Sequence, residues 1–262
     1  MKSNKLWSVV MVLFYVFGSV FAVTSCSSDD AGGDSGSGTG NTPTAVQAID
    51  LGLPSGLKWA NMNVGATSVT SYGDYFAWGE TKTKKKFIWE TYLLCNGSST
   101  TMTKYCTKST YGEVDHKEVL EPSDDAAHVN WGGNWRMPTD DEFDELIANC
   151  YIVCTMNYNN SGVAGSIIYK VKSNSDKGIV VSCDETPSSS YSVTDTHIFM
   201  PAAGRYEDNG FSSGGTYGFY WTSSLYVWKS YGAWRQPFGT DGVARMKFQS
   251  RCYGFSVRAV CE

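Results

Sequence analysis

Apolar and polar residues alternate in VQAIDLGLPSGLKWANMNVG on either side of Pro54, Ser55 and Gly56. Turn formers between two period-two runs predict a β-hairpin. SIIYKVKS and KGIVVSC read as a second strand pair, with the polar stretch Asn174 to Asp176 between them. Asp195 to Pro201 reads as a short buried strand and Phe255 to Val260 as the last one. A helical period follows Pro138, where Phe143, Leu146, Ile147 and Cys150 make one apolar stripe. Thr139 and Glu142 have the spacing of a capping box, and Asp140 and Asp141 favour the positive helix end. The helix is therefore expected at roughly Asp140 to Asn149, packed on a sheet. A weaker helical turn is expected from Ser123 in PSDDAAHVNW. From Arg205 to Val243 the rings Tyr206, Phe211, Tyr217, Tyr226, Trp228, Tyr231 and Trp234 follow no regular period. That stretch reads either as mobile loops displaying rings or as loops over a second aromatic core.

The N-terminus has a different pattern. Lys2 and Lys5 precede an apolar run from Leu6 to Val23, the layout of a secretory signal. Its length alone would also permit a membrane span. The flank decides between them: Val23, Thr24, Ser25 and Cys26 resemble a lipobox, in which the Cys26 thiol accepts the lipid. The stretch SSDDAGGDSGSGTGNTPT has no large apolar residue and reads as a flexible tether. Its Ser28, Asp29 and Asp30 resemble the acidic signals that send Bacteroidetes lipoproteins to the outer face of the outer membrane; an acidic spacer is the alternative. The expected organisation is a signal over 1–25, a tether over 26–44 and one domain over 45–262.

Charge narrows the partners. The chain has 21 basic residues, which fall to 19 once Lys2 and Lys5 leave with the signal, against 26 acidic, a balance of −7. Nucleic acid is not an expected partner, and Lys82 to Lys86 read as a solvated loop. With Cys26 assigned to lipid, seven of the eight cysteines remain, an odd number. Cys95 and Cys106 flank a polar segment that could turn back on itself, so a disulfide is expected there in an oxidising compartment. Cys252 and Cys261 are too far apart along one expected strand to pair. Cys150 and Cys154, at helical spacing, read as small buried hydrophobes.

Few residues suggest chemistry. NWGGNWRMPT sets Trp131, Trp135 and Arg136 around a glycine pair. Such rings can stack on sugar or fill a core, and a ring beside a helix entry is normally buried. Arg136 is expected to hold loop carbonyls or an acid such as Asp124 or Asp125. Trp221 and Arg258 receive the same structural reading. A ligand surface, if present, is placed at Trp228, Tyr231 and Trp234. His116, His128 and His197 have no metal-ligand spacing, and no GxSxG occurs. No catalytic residue, metal or cofactor is expected; a glycosidase carboxylate pair depends on separation in space, which spacing does not reveal.

DLGLPSGLKWANMNVGA, YGDYFAWGETK, LEPSDDAAHVNWGGNWRMPTDDEFDELI, IFMPAAGRY, GFYWTSSLY and YGFSVRAV occur in this order from Ile49 to Val260. In them the chain resembles Bacteroidetes lipoproteins carrying the Fibrobacter succinogenes major paralogous domain. That family looks like a branch of the C-type-lectin-like superfamily, which also holds the formylglycine-generating enzymes. The resemblance implies an α+β fold of antiparallel sheets whose first and last strands lie together, with one or two helices and long loops. The copper site of the formylglycine-generating relatives uses two nearby cysteines, and here only Cys252 lies near the corresponding place. The calcium-binding triplets of sugar-binding C-type lectins are half matched at Glu121 to Ser123, and WND is absent. The expected function is a lipid-anchored, non-enzymatic module of the outer membrane, facing the exterior and binding a glycan or protein. The alternatives are a structural envelope lipoprotein and a formylglycine-type enzyme.

Overall fold

In the computed structural model, residues 45–208, 210–243 and 245–262 are described. The expected signal, the Cys26 anchor and the tether lie outside the described residues. The opening alternation folds into β1 (Ala48–Asp50) and β2 (Lys58–Ala60), antiparallel, with Ile49 opposite Trp59. A loop-rich stretch leads to α1 (Ala126–Trp131) and α2 (Asp140–Asn149), and β3 (Cys150–Thr155) follows α2 directly. Next come β4 (Gly165–Lys170), β5 (Val180–Val181), β6 (His197–Pro201) and β7 (Ala203–Glu207). The chain continues through β8 (Gly210–Gly214), β9 (Tyr217–Leu225), β10 (Gly232–Gly239), β11 (Gly242–Val243) and β12 (Lys247–Ser250). β13 (Val260–Cys261) returns to β2, so the first and last strands share one three-stranded sheet. Among the described residues the fold is α+β: the helices are few, and three sheets carry the core.

The helix at Asp140–Asn149 has the expected bounds because its signals are local. The Thr139 hydroxyl accepts from the Glu142 N–H, and the Glu142 carboxylate accepts from the Thr139 N–H at 2.8 Å. Phe143 and Leu146 are fully buried. Phe143 meets the Trp59 ring edge-on at 4.8 Å, and this side of α2 packs with Ile152, Ile168 and Phe238 from three strands. Burying Phe and Leu side chains of this kind contributes about 1.5–3 kcal/mol each.

Several expectations are corrected. Segments 165–170 and 180–181 are strands but do not pair with each other: β3 lies between them, antiparallel to β4 and parallel to β5. Cys150 ends α2 and Cys154 lies within β3, so their helical spacing is incidental. Cys154 forms a disulfide with Cys183, which staples the β3–β5 pair. The expected Cys95–Cys106 disulfide is not formed; both thiols are free and buried. The Cys95 Sγ turns to the carbonyls of Trp89 and Tyr92, whereas the Cys106 Sγ turns to that of Lys108. In the last segment only Val260–Cys261 is a strand, while Gly254, Phe255 and Ser256 make single bridges to Tyr206, Phe76 and Tyr220.

The stretch Arg205 to Val243 is not a set of loops. It supplies most of a six-stranded sheet in the order β11-β10-β9-β7-β8, with β12 beside β10. β7 touches β9 at Gly204 and Gly218. A Cβ at Gly204 would lie 2.5 Å from the Ser212 carbonyl oxygen, and one at Gly218 2.4 Å from that of Pro201. Glycine is therefore required at Gly204 by the closeness of β8 and at Gly218 by the end of β6.

Candidate functional site

The NWGGNWRMPT segment is built around an aspartate. Asp125, not Ser123, is the N-cap of α1: its Oδ1 accepts from the N–H groups of Ala127 and His128, and its Oδ2 from that of Met137 at 2.7 Å. Burial pushes the Asp125 carboxyl above the usual range, with these three backbone N–H groups opposing it. Trp135 is buried, while Trp131 is half-buried and meets it edge-on at 5.4 Å. A cavity of about 310 Å³ opens here, lined by Asp125, His128, Trp135, Arg136 and Glu262. Both Asp125 oxygens are engaged in holding backbone.

Arg136 donates to the Met137 carbonyl at 3.3 Å and holds an acid that is neither Asp124 nor Asp125. Its guanidinium grips the two oxygens of Glu142 at 2.8 and 2.6 Å, joining the motif to the start of α2. Burial raises the Glu142 carboxyl, but Arg136 and the Thr139 N–H outweigh it and hold the carboxyl below its ordinary value of 4.5. A depressed carboxyl contributes stability above its unfolded value and loses it as pH falls through the folded one. Glutamine at this position can still cap the helix. Glu142→Gln is therefore expected to cost about 1 kcal/mol or less at pH 6, because the pair is partly exposed, and less than that at pH 3. Urea unfolding of both proteins at the two pH values checks this.

Two arginines tie separate segments together in the interior. Arg258 donates to Ala60 O, Phe199 O and the Asn63 side chain, and burial pulls its guanidinium down to about 10. Arg251 donates to Lys104 O, Tyr105 O, Ser230 O and the Tyr92 hydroxyl, with its guanidinium 4.8 Å from the Trp78 ring centre. Trp221 is buried, donates to Phe76 O and stacks on Phe255 at 4.2 Å. Arg258, Trp221 and Arg251 thus each bridge segments distant in the sequence.

The three residues proposed for ligand contact do not form one cluster. Trp228, 65% exposed, stands on the turn between β9 and β10 with Lys108 over its ring. Tyr231 turns the other way, edge-on to Tyr111. Trp234 lies in β10, directly opposite Phe248 of β12. Tyr226 links these last two rings: it stacks on Phe248 at 4.1 Å with planes 3° apart and meets Trp234 edge-on at 4.8 Å. All three are half-buried, and they form an aromatic ledge beside the turn that carries Trp228. Phe248 was not singled out in the sequence because it belongs to a strand whose pairing with β10 is non-local.

The other face of β10 is different in kind. Successive strand residues point to opposite faces, and Arg235, next to Trp234, pairs in register with Lys247. Arg205, Arg235 and Lys247 line a cavity of about 330 Å³ with Ser213, Tyr217, Phe219, Pro237 and Asp241. Arg205 and Arg235 each place their guanidinium carbon 4.6 Å from the Phe219 ring centre. Arg205 is paired with Glu207 at 3.1 Å. Arg235 is only 7% exposed, and its Nε and Nη1 are buried without a partner. Burial, and then the neighbouring Arg205, pull the Arg235 guanidinium down to about 10. A lone arginine among ring residues carries no periodic or motif signal, so its burial was not legible in the sequence.

The histidines stay apart. His128 Nδ1 faces Trp135 O at 3.3 Å, and His197 Nε2 faces the Tyr158 hydroxyl at 2.8 Å. Among the described residues, no group of three or more His, Cys, Asp or Glu side chains is arranged to hold a metal. Cys252 is buried, and burial with Asp208 nearby pushes its thiol well up, which disfavours the reactive thiolate. Among the described residues no helix is long and apolar enough to cross a membrane. No family model, no curated protein and no solved structure matches this chain.

Proposed function

We propose that this chain is an exported lipoprotein, anchored through Cys26 to the outer membrane and facing the exterior, whose domain binds carbohydrate without transforming it. The observation that carries the binding reading is the aromatic ledge of Tyr226, Trp234 and Phe248, beside the turn that exposes Trp228. Ring faces kept partly in water at a sheet end suit the apolar faces of sugar rings, and exposed aromatic clusters of this kind mark interaction sites. A non-enzymatic role is supported by what occupies the motif residues: Asp125, Arg136 and Glu142 are all engaged in holding helix starts. The six ordered sequence phrases support membership of the Fibrobacter succinogenes major paralogous domain group. A C-type-lectin-like fold is supported by the sheet that joins the first and last strands. The Cys154–Cys183 disulfide fits an oxidising compartment.

Two measurements test the halves of this proposal. Cys26→Ala is expected to abolish lipid labelling and release the protein from membranes, and protease added to intact cells should remove the wild-type domain. For ligand capture, the purified mature chain is probed against arrays of glycans and of proteins, with glycan capture expected. Capture of proteins alone would replace the carbohydrate reading, and capture of nothing would leave the structural lipoprotein as the better account.

A further inference from the structure

The cavity on the face of β10 away from the aromatic ledge concentrates positive charge in a chain whose formal balance is −5. Arg205, Arg235 and Lys247 line it, against one lining acid, Asp241, which accepts from the Tyr217 hydroxyl at 3.0 Å. Glu207 sits behind Arg205 and pairs with it, leaving Arg235 and Lys247 without an ion-pair partner among the described residues. Lys247 is exposed and solvated, so its freedom is ordinary. Arg235 is not: buried guanidinium nitrogens normally have acceptors, and a buried charge without one is costly. The Phe219 ring offers only a weak substitute for an oxyanion. An orphaned, almost fully buried guanidinium facing an open cavity beside a second arginine is a built place for an anion.

We infer that the Arg205–Arg235–Lys247 cavity binds the carboxylate of an acidic sugar. The lining decides the class. The partly exposed Tyr217 ring, backed by Phe219 at 5.9 Å and nearly parallel to it, offers an apolar surface for a sugar ring face. Ser213, the Tyr217 hydroxyl and the Asp241 carboxylate offer partners for ring hydroxyls. A uronic acid presents all three features in one small molecule: a carboxylate, neighbouring hydroxyls and a C–H face. A peptide C-terminus is the competing carboxylate, but its usual receptor is a nest of backbone N–H groups; here side chains supply the cations. This inference does not rest on the ledge, which lies on the opposite face of β10, so either site can fail without the other.

The test titrates the mature chain with sodium glucuronate, glucose, sodium acetate and a short peptide with a free C-terminus, at constant ionic strength. Binding is read by calorimetry and by the NMR resonance of the Arg235 Nε–H. Glucuronate should bind at least about tenfold tighter than glucose or acetate and shift that resonance, as expected when a charge-assisted hydrogen bond is added. Arg235→Gln should weaken glucuronate at least about tenfold, with partial recovery in Arg235→Lys. Lys247→Ala, at an exposed position where folding is not at stake, should weaken it about threefold. Equal binding of glucuronate and glucose, no binding of glucuronate, or full binding by both Lys247→Ala and a folded Arg235→Gln would overturn the inference. Tighter binding of the peptide than of glucuronate would overturn it in favour of a peptide receptor.

Discussion

Arg251→Met is expected to lower the stability of the domain by about 3 kcal/mol, because it removes the donor from two buried carbonyls and a part-buried one at about 1–3 kcal/mol each. Those carbonyls belong to Lys104, Tyr105 and Ser230, which lie in two loops that Arg251 joins. The same change removes the bond to the Tyr92 hydroxyl and the contact with the Trp78 ring. Methionine fills much of the arginine stem's volume, so the loss reports the hydrogen bonds more than a cavity. For a domain of this size the melting temperature should fall by about 6–12 °C. Arg251→Lys should recover only part of this, since an ammonium cannot reproduce the planar fork that reaches both loops. A methionine variant that melts within a degree of wild type would show that these loops are held by other means.

The second large effect separates the two kinds of tryptophan. Trp135→Ala should cost about 3–5 kcal/mol, the usual range for emptying a buried aromatic site. Trp135 is 1% exposed and packs in the cluster that holds Trp78, Trp221 and Phe255. Trp228→Ala should change stability by no more than about 0.5 kcal/mol, because its ring stands largely in water. Chemical unfolding of the two variants side by side gives the contrast. Equal destabilisation by both would mean that Trp228 is packed and not held out in water.

Local signals were the legible ones. Thr139 and Glu142 are three residues apart and cap one helix, and the β1–β2 turn is written in consecutive residues. Pairing between distant segments was not legible: the run Cys150–Thr155 is buried on both faces, so it shows no alternation to announce a strand. Missing β3 made its neighbours β4 and β5 look like partners. The same cause hid the six-stranded sheet. β9 is buried along nearly its whole length, and its pairing with β10 slips register between Ala233 and Arg235, which erases the period that rings and polar residues would otherwise display. Cysteine pairing failed for a related reason, since Cys154 and Cys183 become neighbours only through the parallel β3–β5 contact. At the site, the sequence singled out Trp228 and Trp234 by residue type, whereas Phe248 and the orphaned Arg235 acquire meaning only from the register of β10 with β12.

Ligand capture and melting, measured together on Trp234→Ala and on the double variant Trp234→Ala with Phe248→Ala, test the binding account most directly. Against a glycan that the wild-type chain retains, both variants should lose at least about tenfold in affinity. Their melting should stay closer to wild type than that of Trp135→Ala, because Trp234 and Phe248 are half-buried where Trp135 is enclosed. Undiminished capture by a double variant that still folds would contradict the account and place carbohydrate binding away from the ledge.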